Sequence, residues 1–191
     1  MPKLIEGNLE ENRRSRYSSL LEAAVSIALE SGSSAITITA VAKRAGISRA
    51  GAYEYFASKE ELIADLIIDE IQIWSSSLSN QVELAQTPQA KVMAWVQGSL
   101  DYILSGKHKL ARELSSITVP TERMNEVREA HYLLMQPLVE ALAQCSVSDP
   151  MRTSMYINGL LDVATRRIDS GKNNEGESDY VIALALQLIK E

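Results

Sequence analysis

The sequence predicts an all-α protein of about nine helices, with a small three-helix N-terminal domain containing a helix-turn-helix and a larger helical body behind it. Three observations predict this. Apolar residues recur at steps of three and four along nearly every segment instead of alternating. Aromatic residues make up only 5% of the chain, with a single Phe, while Ala, Leu, Ile and Ser are abundant, a composition that suits helices better than a β-sandwich. Capping residues and glycines punctuate the periodic segments at helical lengths. With 191 residues, 46% of them hydrophobic, the chain can bury a substantial core.

Taken in order, the first helix is expected over residues 13–30, where Tyr17, Leu20, Leu21, Ala24, Val25 and Ala28 share one face and Ser31-Gly32 ends it. Thr39 has the position of an N-cap for a short helix ending at Ala45-Gly46, and Ser48 that of an N-cap for a second short helix ending near Phe56. Ser58-Lys59-Glu60-Glu61 reads as a capping box that opens a long helix with Leu62, Ile63, Leu66, Ile67, Ile71 and Trp74 on its buried stripe. Thr87-Pro88 starts the next helix, running to Ser105-Gly106, because proline suits the first helical position. A short segment over 107–117 follows, then a long helix over 121–144 in which Pro137 predicts a kink. Asp149-Pro150 starts a helix to about Ser170. Residues 171–178 form a polar loop and residues 179–189 the last helix.

The composition also excludes function classes. One cysteine, Cys145, rules out a disulfide framework within the chain and a Cys-rich zinc site. His108 and His131 are the only histidines and are not spaced as ligands, so no metal is expected. No Ser/His/Asp or Cys/His arrangement and no phosphate-cradling glycine loop occurs. Neither a catalytic residue nor a cofactor is expected, and the chain is not expected to be an enzyme. Asp65 and Asp69, at i and i+4, are expected to be solvated. No apolar stretch reaches membrane-spanning length and the first residues lack a secretory core, so the expected location is the cytoplasm, with no membrane partner.

The net charge of −6, with a pI near 5.1, argues against coating nucleic acid through bulk charge. Its distribution is more informative. The first sixty residues carry eight Lys/Arg against seven acids, and the remainder carries −7. Between Ala40 and Gly51 stand three cations, Lys43, Arg44 and Arg49, with no acid. That stretch is also where two short helices meet at Ala45-Gly46-Ile47, a glycine turn between small residues that has the layout of a helix-turn-helix. The second of these helices presents Ser48, Arg49, Gly51, Ala52, Tyr53 and Tyr55, and such a helix can enter a DNA major groove.

The run TAVAKRAGISRAGAYEYFASKEEL, residues 39–62, resembles the DNA-binding domain of the TetR family of bacterial transcriptional regulators. The matching elements are Thr39, Ala45-Gly46-Ile47-Ser48, Tyr53-Glu54-Tyr55-Phe56 and Ser58-Lys59-Glu60-Glu61-Leu62. The resemblance covers about residues 13–66. It departs from the family's usual pattern at Ala50-Gly51-Ala52, and Glu54 adds a negative charge near the surface that would face DNA. It implies phosphate contacts from Thr39, Ser48, Tyr53, Tyr55 and Lys59, with base contacts from Arg49 and its neighbours, Gly51 among them. Lys59 stands in the first turn of its helix, where a cation opposes the helix dipole, so a phosphate partner would compensate. Lys43 and Arg44 are candidate backbone contacts, balanced against an ordinary solvated face. Arg13, Arg14 and Arg16 lie before or at the first helix, where a flexible arm could touch phosphate or the minor groove, balanced against a plain solubilising end. Of the two tyrosines, Tyr53 is expected to be the one that packs.

The resemblance further implies a division into a DNA-binding domain over 1–58, with its N-terminal arm, and a helical ligand-binding and dimerisation domain over 59–191. The last two helices would pair with a second copy, and Met155, Gly159, Leu160, Val163, Leu184 and Leu188 are the candidate interface residues. Met93, Tyr102, Met124, His131, Tyr132 and Met135 supply larger, softer side chains and are the candidate pocket. The function expected is a homodimeric, sequence-specific regulator, most simply a repressor released from a palindromic double-stranded operator by a small, largely apolar effector. Two alternatives stand beside it: a helical small-molecule carrier, and a regulator controlled by a partner protein.

Overall fold

The computed structural model describes residues 3–114, 117–171 and 176–189, with side chains from residue 9 onward. Among these residues the chain forms nine α-helices and no strand: α1 Lys3–Ser31, α2 Ile38–Arg44, α3 Arg49–Tyr53, α4 Lys59–Leu84, α5 Pro88–Leu104, α6 His108–Leu114, α7 Met124–Gln144, α8 Pro150–Asp169 and α9 Glu177–Gln187. Short 3₁₀ turns at Ser33–Ala35 and Thr121–Arg123 precede α2 and α7. No helix among the described residues is long and apolar enough to cross a membrane. The polar loop expected over 171–178 lies partly outside the described residues, as does the end of the segment expected over 107–117.

The chain divides into two compact units, Met1–Glu70 with Lys109–Val127, and Ile71–His108 with Arg128–Glu191. This partition differs from a division at residue 58, and the reason is packing. In the first unit Leu20, Leu21, Ala24, Ile27 and Ala28 of α1 bury against Ile36, Val41, Ala42, Ala52, Phe56, Leu62, Ile63 and Leu66, and the same apolar cluster includes Leu110 and Leu114 of α6. At ~25 cal/mol per Å² of apolar surface, each such leucine contributes about 1.5–3 kcal/mol. A segment far along the chain thus completes the core of the helix-turn-helix unit.

The caps explain most boundaries. Thr87 accepts from Ala90 N with Pro88 at the first helical position, and Asp149 accepts from Arg152 N ahead of Pro150. Pro137 lies inside α7. In the second unit α5, α8 and α9 pack on one another. Trp95 is fully buried there, its indole N–H donating to the Leu134 carbonyl at 3.2 Å. Gly98 sits where α5 meets α4: a Cβ at that position would lie 2.5 Å from Gln81 Oε1 and 2.6 Å from Leu78 Cδ2.

Two expectations are corrected. Arg13, Arg14 and Arg16 are not an arm, because α1 begins at Lys3 and carries them well inside it. The last helix starts earlier than expected, at Glu177 after Gly176, whose φ of 77° places it in the left-handed region.

Candidate nucleic-acid interface

The pair α2–α3 is built by local chemistry. The N-cap of α2 is Thr37, extended at φ −138°, ψ 151°, whose hydroxyl accepts from Ala40 N at 3.1 Å. Thr39 is therefore not the cap; it lies in the first turn with its side chain exposed. At the other end Ile47 N donates to Ala42 O at 2.9 Å and Gly46 N to Lys43 O at 3.3 Å, with Gly46 at φ 69°. These are the two bonds of a Schellman closure, which needs a left-handed residue at the position glycine occupies. Ser48 then caps α3, its Oγ accepting from Gly51 N at 3.0 Å. A Cβ on Gly51 would come within 3.1 Å of that Oγ and 3.2 Å of Ile47 Cγ2, so glycine here keeps the cap tight.

The expected contact residues are placed as follows. Lys43, Ser48, Arg49 and Tyr53 are exposed, on α2, the turn and α3. The Arg49 guanidinium carbon stands 5.5 Å from the Tyr53 ring centroid, a cation–π contact that props up the arginine. Arg44 is also exposed, but it is engaged: it donates to both carboxylate oxygens of Glu30, at 2.8 and 2.9 Å, and to the Ser26 hydroxyl. Lys59 donates to the Ser33 carbonyl at 3.2 Å, a protein partner in the place where a phosphate was expected to compensate the helix dipole. The expected capping box closes by half. Ser58 Oγ accepts from Glu61 N, while the Glu61 carboxylate goes to Arg123 instead of returning to the cap.

The roles expected of the two tyrosines are exchanged. Tyr53 is 45% exposed, whereas Tyr55 is half-buried, its ring centroid 6.5 Å from those of both Tyr17 and Phe56. The reason is that α3 ends at Tyr53, and Tyr55 N and Phe56 N both share the Ala52 carbonyl, which turns the chain inward. Tyr55 still borders two clefts, one with Arg13, Arg16, Glu54, Asn12 and Leu9, the other with Arg13, Arg14, Tyr17 and Glu10.

A charged cluster that sequence reasoning missed lies in the same unit. Arg123 donates to Glu61 at 2.7 Å, to Glu126 at 2.9 Å and to Asp65, while the Tyr17 hydroxyl donates to the other Asp65 oxygen at 3.0 Å. Asp65 is thus held between two donors rather than solvated. Although partial burial works against the charged guanidinium, its bonds to Asp65, Glu61 and Glu126 hold Arg123 above the usual arginine range. Burial first, then the charge and hydrogen bond of Asp65, push the Tyr17 phenol far above its ordinary value, so it stays a donor. Burial and the neighbouring Asp65 charge raise Asp69. The only signal in the sequence was the spacing of Glu61, Asp65 and Asp69 on one helix face; their partner comes from a distant segment.

In the second unit, Met93, Tyr102 and Met135 are half-buried, while His131 and Tyr132 are exposed on α7, Tyr132 at 59%. Met124 belongs to the first unit and is half-buried. Tyr102 stacks on Trp74 with centroids 4.6 Å apart and planes 9° from parallel, and the Trp74 indole N–H is buried with no acceptor. His108 Nε2 lies 2.9 Å from Asp169 Oδ1. No group of three His, Cys, Asp or Glu among the described residues is placed to hold a metal. On α8, Ser154, Ile157, Leu161 and Ala164 bury inward, while Met155, Tyr156 and Val163 are exposed. Leu160 and Leu184 are half-buried and, with Val163, Arg167, Glu177 and Tyr180, line a groove of about 530 Å³. A Cβ on Gly159 would meet nothing within 4 Å, and Leu188 is half-buried at the end of α9.

Comparison with known proteins adds the following. Residues 20–66 match the family model described as bacterial regulatory proteins, tetR family. The chain is 26% identical over 179 residues to the fatty acid metabolism regulator protein of Bacillus subtilis, covering 94% of this chain and 80% of that one. It is 28% identical over 152 residues to the transcriptional regulator BetI of Rhizobium meliloti, covering 77% and 74%. Among solved structures, the fatty acid degradation regulator FadR of Bacillus halodurans superposes with a TM-score of 0.73 at 23% identity, covering 90% of this chain and 94% of that one. FadR of Bacillus subtilis, solved in complex with stearoyl-CoA, gives 0.69 at 19% identity, covering 91% and 96%. At these identities the structural likeness concerns the fold.

Proposed function

We propose, from the match of residues 20–66 to the tetR family model, that this chain is a regulator of that family: a cytoplasmic, homodimeric repressor whose α3 reads a palindromic operator and whose second unit binds a small, largely apolar effector. The observation that carries the reading is the α2–α3 pair itself: a Schellman turn and a serine cap present Lys43, Ser48, Arg49 and Tyr53 on an exposed surface that carries no acid from Ala40 to Gly51. Arg49 takes the base-edge role, since a guanidinium can grip guanine bidentately. Ser48, Tyr53, Tyr55, Lys43 and Lys59 flank it as backbone contacts, Thr39 lies exposed beside them, and Gly51 admits a close approach. Arg44 contributes after leaving Glu30, or not at all. The functional division proposed is residues 1–58 for DNA and 59–191 for effector and dimer.

For the dimer, the exposed Met155 and Val163 and the half-buried Leu160, Leu184 and Leu188 supply an apolar face on α8 and α9, and the open space at Gly159 suits a close helix crossing. Two such protomers place their α3 helices on successive major grooves. For the effector, the names of relatives support a long acyl chain as the apolar part, carried on a charged thioester head: one relative is named for fatty acid metabolism and the solved Bacillus subtilis FadR holds stearoyl-CoA. Met93, Tyr102, His131, Tyr132 and Met135 of the second unit remain the candidate contacts, with Trp74 added because its indole N–H lacks an acceptor, and Met124, which belongs to the first unit, is left out.

Selection of random duplexes on the purified protein tests the first claim: a palindrome is expected, and Arg49→Ala should cost about 1–3 kcal/mol at the bases it reads while relaxing preference there. Lys59→Ala should weaken all duplexes alike. No enriched duplex at low salt would sink the reading. Stearoyl-CoA, and not coenzyme A alone, should then release the bound duplex.

A further inference from the structure

We propose that Arg123 is a positioning residue for DNA binding: through Asp65 and Tyr17 it fixes Tyr55 at the edge of the contact surface. The inference rests on the reading of α2–α3 as the DNA-binding face. It deepens that reading by assigning a role to a residue outside the helix-turn-helix and outside residues 20–66.

The α-helical ladder of α3 stops at Tyr53, so Tyr55 is placed by its neighbours and not by a helix. Phe56 anchors one side, being 1% exposed. The other neighbour is Tyr17 on α1, whose ring centroid lies 5.6 Å from Phe56 and 6.5 Å from Tyr55. A tyrosine ring can swing about two side-chain torsions unless its hydroxyl is tied. Here the tie is the 3.0 Å bond to Asp65 Oδ2.

Asp65 in turn needs a reason to point inward. It stands on α4 between Glu61 and Asp69, at i−4 and i+4, where like charges repel. Arg123 cancels that repulsion by taking Glu61 on one guanidinium nitrogen and Asp65 on another, with Glu126 on the third. The planar fork spans two carboxylates of one helix, which the single ammonium of a lysine does not reproduce. Without Arg123, three carboxylates would face one another, Asp65 would turn to solvent, and Tyr17 would lose its acceptor. The end of this chain of contacts is functional in position. Tyr55 borders clefts lined by Arg13, Arg14 and Arg16 of α1 together with Glu10 and Glu54, so its placement shapes the charged edge beside α3.

The test uses the full chain and the duplex that the parent selects. Arg123→Gln and Tyr17→Phe are each expected to weaken operator binding between about twofold and tenfold, the range of one hydrogen bond in an otherwise intact fold, with cooperative unfolding retained. In a Tyr55→Phe background that has lost its own share of affinity, neither change should weaken binding much further, because both act through Tyr55. A merely structural role would lower stability and leave the two effects additive with Tyr55→Phe. Full additivity, or undiminished binding by Tyr17→Phe, overturns the proposal. If Arg123→Gln does not fold, Tyr17→Phe alone decides, since it keeps the ring and removes only the hydroxyl. A parent that selects no duplex overturns the DNA-binding reading and the relay with it; a parent that binds while its variants bind equally overturns the relay alone.

Discussion

At the residue scale, the bonds from Arg44 and then from the Ser26 hydroxyl hold the Glu30 carboxyl at about 2, well below its ordinary 4.5. A carboxyl lowered on folding contributes stability that is present above its unfolded value and lost as pH falls toward the folded one. The Glu30–Arg44 tie should therefore act fully above about pH 4.5 and vanish near pH 2. Chemical unfolding of the parent and of Glu30→Gln should show a small gap at neutral pH that closes on acidification; a constant gap would refute the assignment. The pair is exposed, so the gap is expected to be modest. Thr37 and Thr39 provide a second comparison. Thr37→Ala removes the cap of α2 and should cost about 1 kcal/mol. Thr39→Ala, on an exposed side chain inside the helix, should cost under ~0.5 kcal/mol. Thermal unfolding that ranks them the other way would restore Thr39 as the cap. Both threonines stand before the same apolar run, and the extended backbone at Thr37 with its bond from Ala40 N distinguishes them.

At the scale of elements, α5 shows how far local chemistry reaches. Thr87-Pro88 and Ser105-Gly106 marked its ends in the sequence, and the helix runs Pro88–Leu104. Gly98 lies inside this helix, where glycine costs about 1 kcal/mol relative to alanine. The structure gives the reason for it: Leu78, 1% exposed, and Gln81 of α4 stand where a Cβ would go. Gly98→Ala should therefore destabilise by about 1–3 kcal/mol despite its better propensity, because a buried leucine must move. An increase in melting temperature would show that the two helices can part freely. The boundaries of α3 and α9 were less legible. α3 ends at Tyr53 because the chain turns to bury Phe56, and α9 begins at Glu177 because Gly176 can take a positive φ.

At the scale of the whole molecule, α8 carries apolar residues on two sides, one buried within the protomer and one open. Val163→Asp leaves the inner side, Ile157, Leu161 and Ala164, untouched, so the protomer should stay folded. By placing a charge on the outer side it should convert a dimer to a monomer in sedimentation experiments and lower operator affinity at least tenfold, as loss of one half-site contact requires. A dimer that persists would move the interface elsewhere. Periodicity and caps determined by themselves that the protein is helical and where most helices start, because those properties depend on neighbours three and four residues apart, while the run 39–62 carried the resemblance to the TetR regulators. Only the tertiary structure decided that residues 109–127 complete the first unit, that Lys59 and Arg44 already have protein partners, and that Arg123 sits between Glu61 and Asp65. Those contacts join residues fifty or more positions apart or compete with expected ligands, and no local pattern in a sequence records which distant cation will meet a given carboxylate.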